Sequence, residues 1–281
     1  MAFVFCQSNL SIALPISRIR FLTCSLRTSQ LPRQHSNSDV FEVEQKFPLS
    51  LDSLPILEER LRILGFEQIT TKELTDWYFD NVCSDLVQQD CWLRYREDEN
   101  QGEWQLKKGV RGQYNGANTS TVYEEIEGAK ALNAAVDLLA KVERKADVPL
   151  PFEFAGFAPF HIPKLLEEIS LLQLHPFARI LTKRASWVST DQCNMMFWAL
   201  TVDLDITDFG YAVGEVEAMI KDRRDVPRAR AAINGLVKRL KPVGTHSTIA
   251  IGKLEYYLQS RQPELYQMCI ERGIVKEPAA E

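Results

Sequence analysis

The feature that most constrains this chain is a repeated two-residue alternation of charge and hydrocarbon. In Val40–Leu49, Phe41, Val43 and Phe47 fall on one face and Glu42, Glu44 and Lys46 on the other, because successive side chains of a strand point to opposite sides of its sheet. The pattern recurs downstream. Arg94 and Arg96 share a face with Trp92, and Lys107 shares one with Glu103 and Gln105. Glu125 pairs with Glu127, Asp203 with Asp205, and Glu215 with Glu217. For one strand alone, a water-facing sheet surface is the ordinary explanation. Here the signs are segregated by strand, whereas a merely soluble face intersperses them. Arg184 adds a third arginine to Arg94 and Arg96, and guanidinium forks suit phosphate oxygens. Curling such a sheet closed gathers the charges in a tunnel, where they need one another, a cation and an anion as partners. Clustered carboxylates suit a hard cation such as Mg²⁺.

The same periodicities set out the elements. Strands are predicted at Val40–Leu49, Glu73–Asp80, Cys91–Glu97, Glu103–Val110, Thr121–Glu127, Phe177–Ser189, Phe197–Ile206 and Ala212–Met219. Helices are predicted at Ser53–Leu64, with Ser53 as its cap and Pro55 in its first turn, and at Ala129–Val142, Val226–Leu240, Lys253–Ser260 and Pro263–Arg272. Arg111–Asn118 and Lys145–Pro163 read as loops. Many short antiparallel strands with inserted and appended helices imply an α+β fold, a barrel with helical plugs.

Composition narrows the function classes. At 45% hydrophobic and 25% charged, the 281 residues are those of a globular chain. The net charge of −5 argues against nucleic acid as the main partner while allowing a local cationic site for a small anion. The six cysteines are scattered without a C-x-x-C pair, so they read as thiols rather than a disulfide or zinc framework. No apolar run reaches the roughly 18 residues of a membrane helix. His35, His161, His175 and His246 are dispersed, and no Ser-His-Asp arrangement supports a covalent route.

Residues 1–38 form a separate region. They hold no Asp or Glu, but Arg18, Arg20, Arg27, Arg33 and seven serines. That composition fits a disordered extension, and equally an organelle transit peptide. The expected compartment is therefore the cytoplasm, or the mitochondrial matrix if the segment acts in import. Residues 39–272 are expected to be the folded domain, and 273–281 a C-terminal tail.

Several stretches resemble the CYTH superfamily, the triphosphate tunnel metalloenzymes, and within it the thiamine-triphosphatase branch. Glu42-Val43-Glu44-Gln45-Lys46 matches the E-x-E-x-K signature. Asp76-Trp77-Tyr78-Phe79-Asp80 resembles the family's aromatic strand. Trp92 to Asp98 followed by Trp104-Gln105-Leu106-Lys107 resembles its basic hairpin. Thr182-Lys183-Arg184, the run from Val202 to Ala218, and Lys253-Leu254 follow in order. The likeness spans about Phe41 to Tyr266, with departures at the longer Arg111–Asn118 loop, Tyr95 and Lys108.

The resemblance implies a closed barrel of eight antiparallel strands, Mg²⁺ dependence, and hydrolysis of thiamine triphosphate to the diphosphate and phosphate. It implies that Glu42, Glu44, Asp203, Glu215 and Glu217 hold metal. Lys46, Arg94, Arg96, Lys107, Arg184 and Lys253 would hold phosphates, and Trp92 would stack on the organic cation. Arg96 is expected to act at the reacting phosphorus. Either Tyr78 with Lys107 or an unused carboxylate would position the attacking water, and both options stay open. The expected partner is the small triphosphate alone, bound by a monomer, with no nucleic acid and no membrane. Hydrolysis of inorganic tripolyphosphate, a cyclase reaction on ATP, and polyanion binding without turnover are the alternatives.

Overall fold

The computed structural model describes residues 40–99, 101–110, 120–142, 172–190, 198–240 and 250–275. The expectations for the N-terminal extension, for the Arg111–Asn118 and Lys145–Pro163 loops, and for His35, His161 and His246 lie outside the described residues, as does the tail from 276 onward.

Eight strands form one closed antiparallel barrel: β1 (Val40–Pro48), β2 (Phe66–Asp80), β3 (Cys91–Glu97), β4 (Gly102–Gly109), β5 (Thr121–Glu127), β6 (His175–Ser189), β7 (Leu200–Thr207) and β8 (Ala212–Ile220). Around the ring the order is β1-β5-β4-β3-β2-β6-β7-β8, and β8 closes back on β1. β2 is longer than its expected Glu73–Asp80 span. The added stretch, Phe66–Lys72, is largely polar and exposed, so it lacks the alternation that marks a half-buried strand. Its pairing with the far end of β6 holds it extended, through a register shift between Gln68 and Thr70. β7 begins at Leu200 rather than Phe197, which lies outside the described residues.

Among the described residues there are five helices: α1 (Leu54–Ile63), α2 (Ala129–Ala140), α3 (Val226–Leu240), α4 (Lys253–Arg261) and α5 (Pro263–Glu271). Ser53 does not cap α1 through its side chain. It ends a short 3₁₀ turn, where its hydroxyl donates to the Ser50 carbonyl at 2.8 Å. None of the described helices is long and apolar enough to cross a membrane.

The helices cover the barrel's hydrocarbon face. Leu57 and Leu61 of α1 and Ile233, Leu236 and Leu240 of α3 pack with Val43, Phe47 and Val216. Ala131 and Ala135 of α2 pack with Phe79, Leu93, Trp104 and Leu106. The helical hairpin α4–α5 does something else: Leu258, Tyr266 and Cys269 join Tyr78, Trp92 and Ile180 in one cluster. Those barrel residues have the parity of the charged positions. The hairpin therefore plugs the lumen at the end where β2 and β3 meet, while α1, α2 and α3 dress the outside.

Candidate functional site

With the apolar parity facing the helices, the charged parity faces inward. The lumen holds a cavity of about 330 Å³. Of the residues expected to hold metal, substrate or water, all but Asp203 line it: Glu42, Glu44, Lys46, Tyr78, Trp92, Arg94, Arg96, Lys107, Arg184, Glu215, Glu217 and Lys253. Asp203 does not line it, although it pairs with Glu215 on the same face. Its carboxylate takes the Arg184 guanidinium and, at 2.6 Å, the Ser186 hydroxyl, because β6 residues stand directly across from it in the β6–β7 ladder.

The arginines are held by two aspartates: Asp76, which spacing had not assigned to the site, and Asp205, which spacing had placed with Asp203 on the charged face. Asp76, 1% exposed, receives Arg96 through two parallel bonds of 2.6 and 2.7 Å, with Arg94 at 3.9 Å. Asp205, fully buried, receives Arg184 through bonds of 2.8 and 2.7 Å and pairs with Lys253. Fork-to-fork pairs of this type fix direction as well as charge. Burial would raise the Asp76 carboxyl, yet Arg96 and Arg94 outweigh it and hold it well below the usual carboxylate range. Asp205 is lowered in the same way by Arg184 and Lys253, against burial. Arg94 also donates to Gln105 at 2.8 Å and stands 3.7 Å from Glu125.

The lysines face the glutamates. Lys46 contacts Glu44 and lies 3.1 Å from Glu215; Lys107 contacts Glu42 and lies 3.5 Å from Glu44. Burial would depress both ammonium groups, but the carboxylates raise both above the ordinary lysine value. Lys253 is lowered, by burial first, with Arg184 adding to it against Asp205. Its amine enters from the first turn of the plug helix α4, whose N-terminal Gly252 leaves room for Lys46: a Cβ there would stand 3.2 Å from Lys46 Cε. Glu255, also on α4 and also lining the cavity, accepts the Gly252 N–H at 2.6 Å.

The glutamates themselves are crowded. Glu44 stands directly across from Glu217 in the β1–β8 ladder, and Glu215 across from Asp203 in the β7–β8 ladder. Like charges at such positions oppose folding. Burial, then Glu215, pushes the Glu44 carboxyl up to about 7. Burial, then Glu42, Asp203 and Glu215, raises Glu217 well above the ordinary value. The lysines leave that repulsion incompletely answered, so a hard divalent cation fits this donor set. The described acidic, histidine and cysteine side chains form no ready-made cluster of three ligands.

Residues 41–242 match the family described as the CYTH domain. The chain belongs to the CYTH family. Among curated relatives, human thiamine-triphosphatase is 34% identical over 240 residues, covering 83% of this chain and 90% of that protein. The thiamine-triphosphatase of Macaca fascicularis is 33% identical over the same coverage. Among solved structures, the PH1819 protein of Pyrococcus horikoshii OT3 superimposes with a TM-score of 0.51, covering 78% of this chain and 99% of that one at 20% identity. That likeness is one of fold. The CYTH match takes in β1 through α3, and α4–α5, which supply Lys253 and Glu255, follow it.

Proposed function

We propose that this CYTH protein hydrolyses thiamine triphosphate to thiamine diphosphate and phosphate, with Mg²⁺ as cofactor. The observation that supports this reading most is the convergence of Lys46, Arg94, Arg96, Lys107, Arg184 and Lys253 on one cavity that Glu42, Glu44, Glu215 and Glu217 also line, together with Glu125, Glu127 and Glu255. Six cations suit a polyphosphate, and so many carboxylates give a pure anion trap no advantage. The relatives named thiamine-triphosphatase point to the same chemistry.

Glu42, Glu44, Glu215 and Glu217 would hold the metal, while Asp203 anchors Arg184. Bound there, Mg²⁺ supplies positive charge to the phosphate oxygens. The rest is done by the chain. Phosphoryl transfer spreads charge over the non-bridging oxygens, so positioned cations contribute most of the rate. Arg94, Arg96 and Arg184 clamp those oxygens, already aimed by Asp76 and Asp205 before substrate arrives. Lys46 and Lys253 hold the inner phosphates. Tyr78 stands across from Arg94 on the β2–β3 ladder, and Lys107 across from Trp92 on the β3–β4 ladder; together they orient the attacking water. Trp92, fixed by a 3.1 Å bond from its indole N–H to Asp90, offers its face to the organic cation.

Phosphate release by the purified full chain from thiamine triphosphate, tripolyphosphate and ATP, with and without Mg²⁺, tests the reading. Turnover is expected with Mg²⁺ and fastest on thiamine triphosphate. Tight binding of all three without turnover would show a polyanion-binding module instead.

A further inference from the structure

The cavity wall includes two residues that lie beyond the last described helix. Ile274 and Val275 line it together with Trp92 and Leu254. Gly273 brings them there. Its φ is +66°, a left-handed conformation that costs glycine little. Its N–H donates to the Ile270 carbonyl at 2.8 Å, and the Ile274 N–H to the Cys269 carbonyl at 2.9 Å. That pair of bonds is the Schellman ending of a helix, which reverses the chain and satisfies its last carbonyls. The reversal lays Val275, 6% exposed, into the same apolar cluster as Tyr78 and Trp92, with Ile274 and Leu254 packed against it.

The cavity wall thus carries two chemistries: the six cations, and the hydrocarbon of Leu254, Ile274 and Val275 with the Trp92 ring and the Glu255 carboxylate. An inorganic polyphosphate makes no use of the second set. A flat organic cation finds an aromatic face, an apolar wall and a negative charge. We infer that the Gly273–Val275 turn is a specificity wall: Ile274 and Val275 contact the organic group of the substrate and select organic triphosphates over inorganic ones, while taking no part in the phosphoryl step. This rests on the functional reading above and adds to it a role for the C-terminal turn.

The test compares thiamine triphosphate with inorganic tripolyphosphate on the wild-type chain and on Ile274→Ala, Val275→Ala and the double variant, with thermal unfolding recorded for each. The expected result is a rise of about 10-fold in KM for thiamine triphosphate in the double variant, the scale of removing hydrocarbon from a hydrophobic pocket. Its kcat, and kcat/KM for tripolyphosphate, should stay within about twofold of wild type. Equal losses on both substrates would reduce the turn to a structural support and overturn the inference. So would an unchanged KM for thiamine triphosphate in a folded double variant. If Val275→Ala is unstable, Ile274→Ala alone carries the comparison, with a smaller expected rise in KM. A wild-type chain that hydrolyses tripolyphosphate but not thiamine triphosphate would instead overturn the functional reading itself.

Discussion

Arg184 and Asp205 face each other across the β6–β7 ladder and join through two bonds of 2.8 and 2.7 Å, with the aspartate fully buried. The pair sets one wall of the tunnel, since Lys253 from the plug helix rests on the same carboxylate. Asp205→Asn leaves two buried cations short of a counter-charge. Breaking a buried pair by removing one partner costs about 3–5 kcal/mol, so the urea midpoint should fall accordingly, with kcat/KM on thiamine triphosphate lower by at least about 10-fold. A variant equal to wild type in both would show that the fork is dispensable.

Arg96 is aimed by Asp76 in the same manner. Arg96→Ala should lower kcat/KM by about 10²–10³, the range for deleting one charge-stabilising donor. Full activity in the purified variant would contradict the clamp.

Glu215 stands between Lys46 and Arg184, at 3.1 and 3.9 Å. If it shares in holding Mg²⁺, Glu215→Gln should raise the half-saturating Mg²⁺ concentration by roughly 10-fold or more, the scale seen when metal-site partners are removed, or abolish turnover. An unchanged Mg²⁺ titration would take Glu215 out of the metal set.

The buried Asp76 gives the fold a predictable acid limb. Its folded carboxyl lies well below the ordinary aspartate value, held there by Arg96 and Arg94; the unfolded chain has the ordinary value of about 3.9. Between the two, the unfolded state binds the extra proton, so stability rises with pH. The contribution is complete above the unfolded value and disappears as pH falls through the folded one. Urea unfolding followed from neutral pH down to about pH 3 should show wild type losing stability more steeply below about pH 4 than Asp76→Asn. Parallel curves would mean that Asp76 is not the linked group.

Outside the tunnel, Ile233 of α3 is fully buried against the hydrocarbon face of the barrel. Ile233→Ala should cost about 2–5 kcal/mol by leaving a cavity. Activity per folded molecule should hold, because the opposite parity of β1 and β8 carries the site. A large loss of kcat without a loss of stability would break that separation.

Strand parity made most of the tunnel readable. Glu42, Glu44 and Lys46 alternate with Phe41, Val43 and Phe47, and closing the sheet decides which set faces inward. Parity gives a side but not a depth. Asp203 and Asp205 share one face, yet neither lines the cavity; each is taken up by Arg184 from the neighbouring strand. Asp76 was missed because it sits in an aromatic strand with no second acid two residues away on its face. The signal available was its parity with Tyr78 and its antiparallel pairing opposite Arg96. Glu255, Ile274 and Val275 carry no such signal. They reach the cavity through the packing of α4–α5 on the barrel end, which no local pattern records.

The ring has one seam that joins the two extremes of the domain, where β1 pairs with β8 along most of its length. A nascent chain can form the β3–β4 hairpin early, but it cannot shut the cylinder until β8 has been synthesised. Even then, Lys253 arrives later with α4. Chains interrupted anywhere before that point would expose the edge of an open sheet, and such distant pairings form slowly. Hydrolytic competence should therefore appear abruptly once Lys253 has been added, and no product truncated before it should retain a fraction of it.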